Sequence, residues 1–458
     1  MALGELTKPA LTPRETQIAA LVAEGLTNRE IAGRLRISER TADRHLEHIR
    51  QKLGFNSRAR IASWYVEQSR AQPASKHDMA PGRPLLRRPW LRIGGAVAAL
   101  VLLLLGLGTV AFGRLTSPLP WRGPVITTFA GDSPTNHCPT GYCAGGYSGD
   151  SDKATSAQLS HPLALAVSGH SVYIADAGNR VIRMVDQGGV IRTVAGGGLA
   201  AFADGANATA IKLPMPTALA VTPYGRIFFA SGSSLFRIDS DLTIHQVLLP
   251  AGGSPLHDIY GLAFDAQGDL YIADRAGNTI RRLAVDGSLT IVAGTGDPGY
   301  TGDGMAATGA RLWYPTGLAL DGAGNLFIAD QGNNRVRKVD AQGIITTVAG
   351  SADIPGSSGD GGRATRSRLS LPAGILVHNG WLYIADTGNN RVREVSPDGI
   401  VTTLAGQGKA AFSGDGGRAD QAGLIGPWAL AFDPSGSLLI SDSGNNRVRE
   451  VHLAQGQA

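Results

Sequence analysis

Residues 383–395 read YIADTGNNRVREV, and the phrase returns as YIADAGNRVIRMV (173–185), YIADRAGNTIRRL (271–283), FIADQGNNRVRKV (327–339) and ISDSGNNRVREV (440–451). Its aspartates, Asp176, Asp274, Asp330, Asp386 and Asp442, stand 98, 56, 56 and 56 residues apart. A degenerate copy, IFFASGSSLFRI (227–238), sits midway in the interval of 98, so the repeat number is six. Around each phrase lie a small-apolar run such as GLALD (317–321) and a further strand such as IITTVAG (344–350). Four short strands per unit cannot bury their faces alone, and a period of about 40–56 residues reads as blades stacked around a ring. The last copy stops at Val451-His452 without a fourth strand, whereas VITTFA at 125–130 supplies one. The expectation is an all-β, six-bladed propeller over 125–452, closed by strand 125–130, which leaves no open sheet edge.

Strand direction locates the working face. If the first strand of a blade runs down, the turns between its second and third strands share one face with the blade-to-blade loops. The Gly-Asp loops (SGDSDKAT, FADGANAT, TGDGMAAT, SGDGGRAT and SGDGGRAD) are therefore expected beside the Asp-x-Gly-Asn turns. A ring of acidic loops could bind calcium, but Asp also caps its own turn, and repetition in every blade is what folding demands. No metal site is assigned. Residues that differ between blades make better ligand candidates: His161, Met215, Asp258, Tyr260, Trp313, Tyr314 and Trp428, all at the entry to the innermost strand. Their aromatic rings could stack on sugars, grip a peptide, or pack between blades. The repeats resemble NHL repeats throughout 125–452, and that resemblance permits a lyase. No nucleophile–base–orienter set or phosphate loop is recognisable, so no enzyme activity and no cofactor are expected.

Ahead of the repeats, Ile93–Gly113 carries 21 residues without a charge, enough for a helix to cross about 30 Å of hydrocarbon. Arg83, Arg87, Arg88 and Arg92 crowd its N-terminal side and only Arg114 and Arg122 follow it, so the N-terminus is expected inside and the propeller periplasmic or extracellular. Gly94 with Ala98 and Gly95 with Ala99 could let two such helices pack as a homodimer. Residues 1–92 hold 17 basic against 9 acidic side chains, and the rest of the chain 25 against 28. The basic excess suits nucleic acid or an anionic membrane face. Residues 68–92 form a basic, Pro- and Ser-containing linker. Cys138 and Cys143, beyond the apolar run, are expected to form a disulfide in an oxidising compartment; a zinc ion would be under-coordinated there.

Residues 1–67 form the remaining unit, with apolar positions at helical spacing in four blocks. Thr12-Pro13 opens the first, whose buried face is Ile18, Leu21 and Val22; Thr27 with Glu30 forms a capping box for the second. A third carries Ala42, His45, Leu46, Ile49 and Leu53 and ends at Gly54, and Ser57 begins a fourth. Helices joined through Arg36-Ile37-Ser38 make a helix-turn-helix, whose third helix would enter the major groove of double-stranded DNA. LTPRE, EGLTNREIAGRL, IS-x-RT and H-x-x-x-I-x-x-KLG resemble the LuxR/GerE-type DNA-binding domain over about 56 residues. The resemblance implies sequence-specific, usually dimeric DNA binding and transcriptional control. Where that family carries Val-Lys after the recognition-helix Thr41, this chain has Ala42-Asp43, with Glu47 one turn on. The carboxylates of Asp43 and Glu47 repel phosphate but can accept hydrogen bonds from cytosine amino groups, while Arg40, Arg44 and Lys52 supply phosphate attraction. With ten residues ahead of the motif, no receiver domain is expected before it, and control is expected from the C-terminal side.

The expectation that unites these parts is a membrane-anchored one-component transcriptional regulator. Its outer propeller would sense a ligand or protein, and its inner domain would bind DNA. The alternatives are a membrane-anchored adhesion or scaffolding propeller with a non-DNA-binding inner domain, and a propeller enzyme such as a lyase.

Overall fold

The repeat phrases form paired antiparallel strands that are buried almost throughout, as in Leu326–Asp330 and Leu438–Asp442, and Gly or Asn in left-handed conformation turns the chain between them. In the computed structural model, residues 11–23, 28–35, seven positions between 41 and 53, 123–132, 145–250, 255–351 and 354–453 are described. The chain divides into two units, Met1–Arg114 and Leu115–Ala458. Cys138, Cys143 and the apolar run Ile93–Gly113 lie outside the described residues. Among the described residues no helix is long and apolar enough to cross a membrane.

The C-terminal unit is a six-bladed β-propeller. The first blade orders its strands Pro162–Ser168, Ser171–Asp176, Val181–Val185 and Ile191–Ala195 from the centre outward. The second, third, fourth and fifth follow the same plan, with innermost strands Ala218–Val221, Ile259–Phe264, Pro315–Leu320 and Ile375–His378. The sixth is built from both ends of the unit. Pro427–Phe432, Leu438–Asp442 and Arg447–His452 come from its C-terminal end, and Val125–Ala130 pairs antiparallel with Arg447–His452 from Val125 opposite His452 to Ala130 opposite Val448. Ile126 is fully buried in that blade against Leu438, Ile440 and Val451.

Each interface between blades is an apolar sandwich of small and branched side chains. At the centre, the innermost strands approach so closely that Gly261, Gly317 and Gly374 admit no side chain. A Cβ on Gly317 would lie 2.3 Å from the Ala373 carbonyl oxygen, and one on Gly374 equally close to that of Trp428. The ring is therefore tight, and its central channel has a free volume of only about 80 Å³.

In the N-terminal unit, α1 (Pro13–Ala23) and α2 (Asn28–Leu35) pack with the helical positions between 41 and 53. Ile18, Ala19, Leu21, Val22, Ile31, Leu46, Ile49 and Leu53 form its core. Thr12 caps α1 in a reciprocal box, since its hydroxyl accepts from the Glu15 N–H while its own N–H donates to the Glu15 carboxylate at 2.8 Å.

Candidate functional site: the mouth of the propeller

The repeat phrase builds a rigid rim. In the fifth blade, Asp386 accepts the Ser370 N–H at 2.7 Å, which pins the entry to the innermost strand, while Asn389 donates to Asp386 and to the Gly356 carbonyl. Asn390 stands in the left-handed region and accepts the Gly426 N–H of the next blade at 2.9 Å. Asn278, Asn334 and Asn446 likewise hold Tyr314, Leu371 and His161. His161, Tyr314 and Leu371 are themselves held at positive φ, a conformation that non-glycine residues rarely adopt.

Beneath the rim runs a second repeated device. Arg183, Arg337, Arg393 and Arg449 have fully buried side chains, each between a buried turn aspartate and a half-exposed loop aspartate. The loop partners Asp150, Asp303, Asp360 and Asp415 belong to the Gly-Asp loops, so these carboxylates are engaged with guanidinium groups. Burial pushes the turn carboxyls up, and hydrogen bonds and the arginine charge offset this only in part; Asp176 reaches about 7 and Asp330, Asp386 and Asp442 about 6. The second blade lacks the device, and there Phe229 and Phe236 stack at 5.0 Å where the other blades pair Ile with Arg.

Inside this rim lies an open cavity of about 720 Å³. Of the seven mouth candidates it brings together Trp313, Tyr314 and Trp428. Tyr260 reaches the same place from the third blade, since its ring lies 6.0 Å from that of Trp428 on the opposite side of the ring. Both residues also line the central channel, so the pair forms the cavity floor. Asp258 is joined to the site through Arg275, whose guanidinium lies 3.7 Å from its carboxylate. Burial and the neighbouring Asp274 push the Asp258 carboxyl up, against the pull of Arg275. His161 and Met215 are exposed on the rim but do not line this cavity.

Sequence reasoning missed Arg275. It stands over two aromatic faces, 5.1 Å from the Tyr260 centroid and 4.5 Å from that of Tyr314, within cation–π range. The signal was available: the residue after the turn aspartate is Ala177, Arg275, Gln331, Thr387 or Ser443, a variable slot inside an otherwise regular phrase. Leu371, Gln331 and Ile425 also line the cavity and were not anticipated.

Of the six DNA-contact candidates, Arg40, Asp43, Arg44 and Glu47 lie outside the described residues. Thr41 is helical, and Lys52 forms an ion pair with Glu15 at 2.7 Å. Burial alone would raise the Glu15 carboxyl, but hydrogen bonds from Lys52 and Thr12 and the Lys52 charge outweigh it and hold it down at about 2. Lys52 thus ties the third helix to the start of the first.

The two units define a class of protein: a helix-turn-helix domain and an NHL-type propeller on one chain, the domain arrangement of a regulator. Residues 9–65 match the family of bacterial regulatory proteins of the luxR family, residues 207–358 the Teneurin NHL domain, and residues 424–450 the NHL repeat. Among curated proteins, human (Homo sapiens) Teneurin-1 is 26% identical over 337 residues, covering 53% of this chain and 12% of its own length. Mus musculus Teneurin-1 is 31% identical over 230 residues, covering 45% and 8%. The chain thus spans about a tenth of these relatives. Among solved structures, a protein of unknown function from Bacteroides thetaiotaomicron superposes with a TM-score of 0.53 at 19% identity, over 72% of this chain and 76% of that one. An auxiliary nutrient binding protein from Bacteroides ovatus gives 0.53 at 18%, over 72% and 77%. Both likenesses concern the fold.

Proposed function

We propose that the chain is a membrane-anchored, one-component transcriptional regulator and not an enzyme. In this reading Ile93–Gly113 crosses the membrane once, the luxR-type domain stands in the cytoplasm on double-stranded DNA, and the propeller stands outside. The observation that carries the reading is the 21-residue uncharged run between a DNA-binding type of domain and a propeller whose mouth holds an aromatic cavity. A ligand in that cavity would bias the DNA-bound state through the single membrane helix, and a homodimer would supply the two half-sites such domains usually need.

One observation favours the scaffolding alternative: Lys52, a candidate phosphate contact, is already engaged with Glu15. Genome-wide DNA occupancy of the intact membrane protein separates the two. Discrete occupied sites that vanish in Arg44→Ala are expected. Occupancy without sequence preference, unchanged by Arg44→Ala, would give the scaffolding reading first place, and a C-terminal reporter active in the cytoplasm would sink both.

A further inference from the structure

Trp313 separates two cavities. On one side lies the mouth cavity of about 720 Å³; on the other a groove of about 420 Å³ runs outward past Pro298, Tyr300 and Asn333. Trp313 and Gly332 line both, so the two spaces are consecutive sections of one track from the ring centre to the edge of the fourth blade. Aromatic rings mark its length: Tyr260 and Trp428 on the floor, Tyr314 and Trp313 midway, Tyr300 at the outer end. Trp313, Tyr314 and Tyr300 are each exposed over two-fifths or more of their surface, with one face of Tyr314 under Arg275 and one face of Tyr300 under Arg335.

One charge enters the mouth section of this track, and at the outer end Arg335 stands 4.8 Å from the centroid of the Tyr300 ring. Arg275 is the only ionisable group of formal charge at neutral pH among the described residues that line the mouth cavity. Its guanidinium is already oriented by Tyr260 and Tyr314, and it lies 3.7 Å from the Asp258 carboxylate. A planar fork of N–H donors held in this way fits a carboxylate.

The occupant is then an extended chain of ring-shaped units with at least one carboxylate. A peptide that binds by adding a strand needs a free sheet edge. Here the innermost strands close on one another around a channel of about 80 Å³ and offer no such edge at the mouth. Flat aromatic platforms at successive steps instead suit the C–H faces of successive sugar rings. We infer that the propeller binds an acidic oligosaccharide along this track, with a uronate carboxylate on Arg275 and neighbouring sugar rings on either side of Trp313. The inference rests on the reading of the mouth as the sensing site.

The test uses the full-length protein in lipid nanodiscs, titrated calorimetrically with tetragalacturonate, monomeric galacturonate and a neutral galactose tetrasaccharide. Tetragalacturonate should bind at least about tenfold more tightly than either of the other two, the size of one charge-assisted contact or one stacked ring. Arg275→Gln should erase the preference over the neutral tetrasaccharide, and Trp313→Ala should erase the gain from chain length. Circular dichroism confirms that both variants fold. Equal binding of acidic and neutral tetrasaccharides, an unchanged Arg275→Gln, binding of acidic peptides in their place, or no oligosaccharide binding at all would each overturn the inference. The sensing role is read separately, from target-promoter activity in Trp428→Ala cells. A changed output with no oligosaccharide binding would leave the mouth as sensor and remove only the sugar; an unchanged output would remove the sensor reading.

Discussion

Arg337 offers the sharpest test of how the ring is held. Its side chain is fully buried, with one nitrogen 2.7 Å from Asp303 and another 3.5 Å from Asp330. Arg337→Met keeps a long apolar stem but leaves Asp330 buried without its counter-charge. Breaking a buried pair from one side costs about 3–5 kcal/mol. Asp303 is nearly half exposed and can turn to water, so its share of the loss is about 0–1 kcal/mol. Part of it should therefore return in Arg337→Met/Asp330→Asn, where Asn carries no charge and keeps the Trp313 N–H contact that Asp330 accepts at 2.8 Å, but loses the bond that the other oxygen accepts from the Asn333 amide. The second blade supports that reasoning, because it holds an apolar Phe229–Phe236 stack where its neighbours hold the ion pair.

The assay is urea unfolding of residues 115–458 followed by tryptophan fluorescence, read as a double-mutant cycle. The single variant should lose about 3–5 kcal/mol and the double variant should recover at least about 2 of it. The pH dependence adds a second reading. Burial already raises Asp330 to about 6, so this carboxyl favours the folded state increasingly as pH falls through 6 toward the unfolded value near 4. Removal of Arg337 raises it further, and the deficit of Arg337→Met should shrink between pH 8 and pH 5. A loss under 1 kcal/mol, or a double variant no more stable than the single one, would show that the pair does not hold the blade.

Asn390→Ala should cost about 2–3 kcal/mol, because it orphans the Gly426 N–H and forces Ala into the left-handed region; hydrogen exchange at Gly426 reads it directly. Ile126→Ala should lower the urea midpoint of the same fragment by the equivalent of about 2–5 kcal/mol, since Ile126 is the buried anchor of the closing strand; a neutral result would mean that the ring closes without it. In the N-terminal domain, Glu15 is held down at about 2 when folded against an unfolded value near 4.5. Its stabilisation is therefore complete above pH 4.5 and is lost as pH falls toward 2. With Lys52 partly exposed to solvent screening, the loss is about 1–2 kcal/mol, and Glu15→Gln should flatten that slope in acid melts followed by circular dichroism.

Much of the propeller is legible in the sequence because its frame is periodic. Asp386, Asn389, Asn390 and Arg393 each have a structural partner, and the same four-part set recurs wherever the phrase Asp-x-Gly-Asn-Asn-x-x-Arg recurs. The mouth aromatics are legible for the converse reason, since Trp313, Tyr314 and Trp428 interrupt the pattern. Arg275 escaped notice because it sits inside the most regular phrase, and nothing local shows that its neighbours in space are Tyr260 and Tyr314, from two different blades. The Lys52–Glu15 pair is hidden by a separation of 37 residues. The stacking of Phe229 on Phe236 is hidden by a turn shorter than its counterparts, which shifts the register so that Phe236 takes the place Arg183 holds in the first blade.

The same frame determines where specificity can reside. In the fourth, fifth and sixth blades the aspartates, asparagines and arginines of the turns are engaged in holding the rim, which leaves the residue after each turn aspartate as its free variable. Even that slot is partly committed. The hydroxyls of Thr387 and Ser443 donate to the carbonyls of Pro427 and Pro162 in the following blades, fastening the fifth blade to the sixth and the sixth to the first. Ala177 has no polar group, and the second blade has no matching turn. Arg275 and Gln331 remain, on the third and fourth blades, beside Tyr260, Trp313 and Tyr314. A ring with sixfold architecture thus presents a one-sided site, in which the third and fourth blades, whose slot is not spent on fastening a neighbour, carry recognition.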